Sequence, residues 1–166
     1  MDKILIIDDD KSIAEHVKLT LEKLGYEVFY TLHPNYIEKI LESQNINLIL
    51  LDMYMPKKDG LEVLKEIRLK SKYDYLPILM LTSDENESLL EKCLDKGAWD
   101  FLNKPVNPII LDARIKSALK LSRSLEQNEK FVSIVAHDLR NPIGAIQGLA
   151  ELCLEEDNEI IETKLC

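Results

Sequence analysis

The stretch Leu48-Ile49-Leu50-Leu51-Asp52 runs four apolar residues straight into a carboxylate, and Ile4-Leu5-Ile6-Ile7-Asp8-Asp9-Asp10 does the same near the start of the chain. Short apolar runs of this kind suit strands buried on both faces, as in a parallel sheet with helices on each side. Outward from these two, further strands are expected at 26–30, 78–81 and 99–102, with the first pair at 4–7 and 48–51. Amphipathic segments lie between them: 12–24 closing at Gly25, 36–43, 61–70, 85–96 closing at Gly97, and one beginning near Pro108. The two glycines stand where left-handed helix caps are expected. Five strands alternating with five helices fit an α/β, doubly wound, flavodoxin-like sheet of order 2-1-3-4-5. Function then belongs at the carboxyl ends of strands one and three, where the winding reverses.

Composition narrows the classes. With 46% hydrophobic and 31% charged residues, the chain is too apolar to be disordered. A net charge of -9 without a dense Lys/Arg run argues against nucleic-acid binding. The opening "MDKILIIDDD" lacks a signal peptide's apolar core, and no apolar run approaches membrane-spanning length, so the expectation is a cytoplasmic protein without membrane contact. Cys93, Cys153 and Cys166 have neither disulfide nor zinc spacing and read as reduced thiols.

The last helical segment continues far past the domain. Leu111, Ile115, Ala118, Ser122, Leu125, Glu129, Val132, Ala136 and Leu139 follow alternating steps of four and three, all apolar but two. This is a heptad seam, expected to pair with a second copy of the helix as a coiled coil; the alternative is an amphipathic helix lying on its own domain.

Asp8, Asp9 and Asp10 follow strand one and Asp52 follows strand three, so the proposed sheet brings several acids into one crevice at the ends of neighbouring strands. Carboxylates so close repel unless a cation joins them, and hard oxygen ligands with room for water favour Mg2+. Taken singly, each strand-end aspartate is a helix cap or turn former. Thr82 and Lys104 end strands four and five and offer a hydroxyl and an ammonium to a phosphoryl group, although singly they are a cap and a solvated charge.

The four stretches "ILIIDDD", "LLDMYMPKKDG", "ILMLTSD" and "GAWDFLNKP" together resemble the successive signatures of response-regulator receiver domains, over roughly residues 1–120. The resemblance implies that Asp8 and Asp9 form the acid pocket, that Asp52 is the phosphoacceptor, and that Thr82 and Phe101 are the switch hydroxyl and aromatic. Phe101 alone reads as a core aromatic. It further implies that Lys104 contacts the phosphoryl group and that a cis bond precedes Pro105. Mg2+ is then held by Asp9, Asp52 and the Tyr54 carbonyl, with Asp8 acting through water, and the phosphodonor is a histidine kinase or phosphotransfer protein.

The segment "FVSIVAHDLRNPIGAIQGLAEL" resembles the phosphoacceptor box of the dimerisation and phosphotransfer domain of histidine kinases. By that resemblance His137 is a second phosphoacceptor, Asp138 orients it and Asn141 helps place water. The family's second bundle helix and ATP-binding domain find no room before Cys166. The expected organisation is therefore a receiver over 1–120 followed, over 121–166, by a helical linker and the first part of a phosphotransfer domain. This is a homodimeric piece of a hybrid histidine kinase without kinase activity of its own from ATP. Alternatives are a stand-alone response regulator and a haloacid-dehalogenase-type phosphatase. The latter wants an acid where Tyr54 stands. A flavodoxin-like FMN carrier is opposed by the three aspartates after strand one, which repel a phosphate.

Overall fold

Alternation of the apolar runs across a central sheet determines the architecture. The computed structural model describes residues 1–56, 58–83 and 86–164, the last stretch by backbone alone from residue 149. Two compact units divide the chain, Met1–Ser124 and Leu125–Cys166.

In the first unit the strands are β1 (Lys3–Ile7), β2 (Glu27–Thr31), β3 (Leu48–Asp52), β4 (Ile78–Thr82) and β5 (Asp100–Asn103). All neighbours pair in parallel, in the order β2-β1-β3-β4-β5. Every residue of β3 and β4 is buried, as expected of central strands covered on both faces. Successive side chains alternate between two cores. Ile4, Ile6, Leu48 and Leu50 pack with α1 (Lys11–Lys23) and the start of α5 (Pro108–Lys164). Leu5, Ile7, Ile49 and Leu51 face α2 (Ile37–Gln44), α3 (Gly60–Arg68) and α4 (Glu87–Asp95).

Element boundaries lie within one or two residues of the sequence expectation, apart from two short 3-10 turns, Pro34–Tyr36 and Ser71–Tyr73, that replace the expected start of α2 and follow α3. The helix start expected at Glu85 lies outside the described residues, as do Cys166 and the side chain of Cys153, while Cys93 is a buried free thiol. Gly25 and Gly97 have φ of 92° and 98°, the left-handed conformation that closes α1 and α4. Asp10 caps α1, its carboxylate accepting from the backbone N–H groups of Ser12 and Ile13 at 2.8 and 3.1 Å.

At the edge opposite the carboxyl ends of the strands, Arg68 braces the two connections that follow α3 and α4. Its guanidinium donates to the carbonyls of Gly97, Tyr73 and Leu76 at 2.9, 2.6 and 2.9 Å. The planar fork satisfies three carbonyls at once, a pattern that an ammonium does not reproduce.

The heptad seam divides in two, and this corrects the expectation that it pairs along its whole length. Leu111, Ile115, Ala118 and Ser122 are buried within the first unit itself, the three apolar ones in the core shared with α1. The polar break at Ser122 also has a local cause, since its hydroxyl donates to the Tyr75 carbonyl at 2.7 Å. These four positions are unavailable to another helix. In the second unit, Leu125, Val132 and Leu139 are 36%, 64% and 54% exposed, and the helix continues through Pro142.

Candidate functional site

Parallel pairing brings the ends of β1, β3, β4 and β5 to one edge of the sheet, so residues far apart in sequence become neighbours. Ile7 pairs with Leu51, which puts Asp8 beside Asp52, and β4 and β5 add Thr82 and the residues after Asn103. Carboxylate oxygens of Asp8, Asp9 and Asp52 lie within 4.8 Å of one another, with Asp8 and Asp52 buried and Asp9 exposed. Lys104 reaches over this group from the loop after β5. Its Nζ donates to Asp8 Oδ2 and lies 2.8 Å from both that oxygen and Asp52 Oδ1. The other Asp8 oxygen accepts from the Asp10 N–H at 2.9 Å. The strand ends are pinned in turn, Met53 N–H donating to the Leu81 carbonyl at 2.9 Å and Lys104 N–H to the Thr82 carbonyl at 2.7 Å.

The electrostatics follow from burial. Removal from water is the largest influence on Asp52 and raises its pKa; Lys104 opposes the rise by hydrogen bond and charge, while Asp8 and Asp9 add to it. For Lys104, burial pulls the pKa down, but the hydrogen bonds and charges of Asp52 and Asp8 outweigh it and the net direction is up. Three carboxylates against one ammonium leave the crevice with excess negative charge. Oxygen-only donors this close converge on a single hard divalent cation, for which opposite ligands lie about 4–5 Å apart, so the donor set fits such an ion.

Thr82 is fully buried at the end of β4, and Phe101 is half-buried against the α3 and α4 side of the sheet. Tyr54 is exposed, just beyond Asp52. The Lys104–Pro105 peptide is cis. The structure therefore brings together Asp8, Asp9, Asp52 and Lys104 and places Thr82 on the same sheet edge, with Phe101 two residues before the end of β5. Asp10, grouped with the other two acids in the sequence, is a helix cap. His137, Asp138 and Asn141 belong to the second unit, on its helix. There His137 is exposed and its Nδ1 lies 3.3 Å from Asp138 Oδ1.

One residue of the site drew no assignment from the sequence. Gly60 opens α3 in contact with the backbone of Asp52 and Met53. Its signal in the sequence is its place at the end of the stretch "LLDMYMPKKDG", directly after Asp59, the residue that caps α3.

A doubly wound α/β domain with carboxylates and a lysine at its switch point is the class that fold and site define. Residues 4–116 match the family model described as the response regulator receiver domain, and residues 127–164 match the His Kinase A (phospho-acceptor) domain. The chain belongs to the response regulator receiver family, and its two matched segments place it in two-component signalling. It is 35% identical over 144 residues to the Bacillus subtilis alkaline phosphatase synthesis transcriptional regulatory protein PhoP, a match covering 83% of this chain and 59% of that protein's length. Among solved structures, a putative response regulator from Chloroflexus aurantiacus is 32% identical with a TM-score of 0.67, covering 72% of this chain and 98% of that one. The signal receiver domain of a signal transduction histidine kinase from Syntrophus aciditrophicus is 28% identical with a TM-score of 0.66, covering 72% and 91%.

The raised pKa of Asp52 carries a stability prediction. A group whose pKa is higher folded than unfolded contributes stability below its ordinary pKa and loses it as pH rises through the folded value. Ionised Asp52 therefore destabilises the fold at neutral pH. In EDTA at pH 7, Asp52→Asn is expected to melt above the unmodified chain, at about 2–4 °C per kcal/mol recovered. The gap should close as pH falls through the raised Asp52 pKa. A lower melting temperature for Asp52→Asn at pH 7 contradicts this account.

Proposed function

We propose that residues 1–120 form a receiver that takes a phosphoryl group from phosphohistidine onto Asp52. Residues 121–166 then form a helical linker and the first part of a phosphotransfer domain carrying His137, within a hybrid histidine kinase. The observation that carries the proposal is Lys104, held 2.8 Å from both Asp8 and Asp52 where a transferred phosphoryl group would sit.

An Asp52 carboxylate oxygen attacks phosphorus in line; the O–P bond forms as the P–N bond to imidazole breaks, and the leaving nitrogen takes up a proton. Lys104 neutralises a phosphoryl oxygen. Asp8, Asp9 and Asp52, with the Tyr54 carbonyl, would hold Mg2+, which supplies further charge neutralisation for the transferring group. The Thr82 hydroxyl then turns toward the phosphate, Phe101 moves into the space it leaves, and the face of α4, β5 and α5 changes with it. In the second unit Asp138 orients the His137 imidazole and assists proton transfer, while Asn141 helps place water for phosphate removal.

The chain spans 59% of the length of PhoP; its 35% identity to that regulatory protein supports a stand-alone response regulator as a second reading. The match of residues 127–164 to a kinase phospho-acceptor domain, with His137 exposed, favours the kinase-linked one.

Incubation with Mg2+ and acetyl phosphate is expected to add one labile phosphate, located on Asp52 by mass spectrometry and absent from Asp52→Asn. Persistence of the adduct in that variant refutes the assignment.

Pairing of two copies in parallel is proposed for the part of the seam that the receiver does not use, Leu125 to Leu139, whose apolar stripe is exposed within its unit. Replacing Leu125 and Val132 together by glutamate should convert dimers to monomers with the receiver's melting temperature unchanged. Monomers of the unmodified chain at high micromolar concentration, seen by light scattering, refute the pairing.

A further inference from the structure

Phosphoryl transfer to Asp52 requires a backbone that the reactive groups do not themselves hold. Asp52 is the last residue of β3; the chain then leaves the sheet and returns at Gly60, where α3 begins. The start of α3 is closed by its own cap and fastened there by one bond. Asp59 caps the helix by accepting from the Leu61 N–H at 3.1 Å, and the Gly60 N–H donates to the Met53 carbonyl at 2.9 Å. Gly60 itself is buried.

The approach is closer than any side chain would allow. A Cβ on Gly60 would fall 2.2 Å from the Asp52 carbonyl oxygen and 3.0 Å from both the Cα and the carbonyl oxygen of Met53. All three neighbours are backbone atoms, so they have no rotamer into which to retreat. Unlike Gly25 and Gly97, Gly60 does not have a positive φ, and its need for glycine comes from this approach alone.

We propose that Gly60 is a positioning residue for phosphoryl transfer. Having no Cβ, it lets the start of α3 press against the Asp52–Met53 peptide and so holds the Asp52 carboxylate in the geometry that the acidic cluster requires. This rests on Asp52 being the phosphoacceptor. A methyl group at position 60 must displace either the helix or the Asp52 carbonyl. β1 and β4 grip β3 on both sides, and the peptide that carries the Asp52 carbonyl is itself tied to the sheet by the bond from Met53 N–H to the Leu81 carbonyl. Whatever part of the displacement the start of α3 does not absorb therefore falls on the residue that bears the nucleophile. A hard divalent cation demands near-ideal ligand geometry, and a nucleophile misplaced by about 1 Å loses on the order of a hundredfold in rate.

Gly97 supplies the control. An alanine there meets a positive φ and the Arg68 side chain at 3.0 Å, so it strains the fold at the edge opposite the acidic cluster. The full-length unmodified chain, Gly60→Ala and Gly97→Ala are compared by Mg2+ titration calorimetry, by the rate of Asp52 phosphorylation from acetyl phosphate, and by melting temperature in EDTA. Both variants are expected to melt lower. Gly60→Ala should lose about tenfold or more in Mg2+ affinity and about 10- to 100-fold in phosphorylation rate, whereas Gly97→Ala stays within about twofold on both. Gly60→Ala within about twofold of the unmodified chain overturns the proposal, as does an equal loss in Gly97→Ala, which would trace the effect to stability alone. If either variant unfolds, all three proteins are measured in a trimethylamine N-oxide concentration that restores the fold. An unmodified chain that neither binds Mg2+ nor accepts phosphate refutes the phosphoacceptor reading instead.

Discussion

Two buried carboxylates tied together by one ammonium, with a third carboxylate beside them, are the constraint to which the rest of the first unit is fitted. Asp8 and Asp52 are almost fully removed from water, and such charges are costly unless paired. Lys104 spans both, and the Asp10 N–H satisfies the remaining oxygen of Asp8. Among the described residues no buried side-chain polar atom lacks a partner, so the local excess of negative charge is a matter of charge balance and not of missing hydrogen bonds. That excess suits a cation and a transferred phosphoryl group, and burial together with the neighbouring Asp8 and Asp9 charges pushes the Asp52 pKa up against the pull of Lys104.

The arrangement could be built only at one edge of a parallel sheet. Strands one, three, four and five deliver their carboxyl ends to the same side, and the helices between them are short enough to return the chain each time. The opposite edge is held by different chemistry, with Arg68 drawing together the connections after α3 and α4. Excess charge at the reactive edge and bracing at the other separate chemistry from stability, which is why Gly60 and Gly97 serve such different ends. α5 belongs to both units, and its first part is also fixed by polar contacts, from Tyr26 to Asp112 and from Ser122 to Tyr75.

Much of this was legible in the sequence because it depends on local pattern. Continuous apolar runs ending in Asp8, Asp52, Thr82 and the segment before Lys104 reveal both the sheet order and the edge at which these residues meet. What was not legible is non-local. The close approach of Gly60 to Asp52 depends on how α3 packs, and the three acceptors of Arg68 are shared between two separate connections. Asp10 shares its composition with Asp8 and Asp9, yet one residue further along it faces the free N–H groups of α1. The heptad pattern from Leu111 is real, but periodicity does not name a partner: its first half is satisfied by the domain's own sheet, and only from Leu125 is the stripe exposed. No helix among the described residues is long and apolar enough to cross a membrane.

If the excess charge of Asp8, Asp9 and Asp52 governs the site, the Lys104 ammonium and a divalent cation neutralise the same groups, and each weakens the need for the other. The direct measurement is the rise in melting temperature on adding Mg2+, compared between the unmodified chain and Lys104→Met. The account predicts that Lys104→Met melts well below the unmodified chain in EDTA and gains more from Mg2+, so that the gap narrows. A gain in Lys104→Met equal to or smaller than that of the unmodified chain would contradict it.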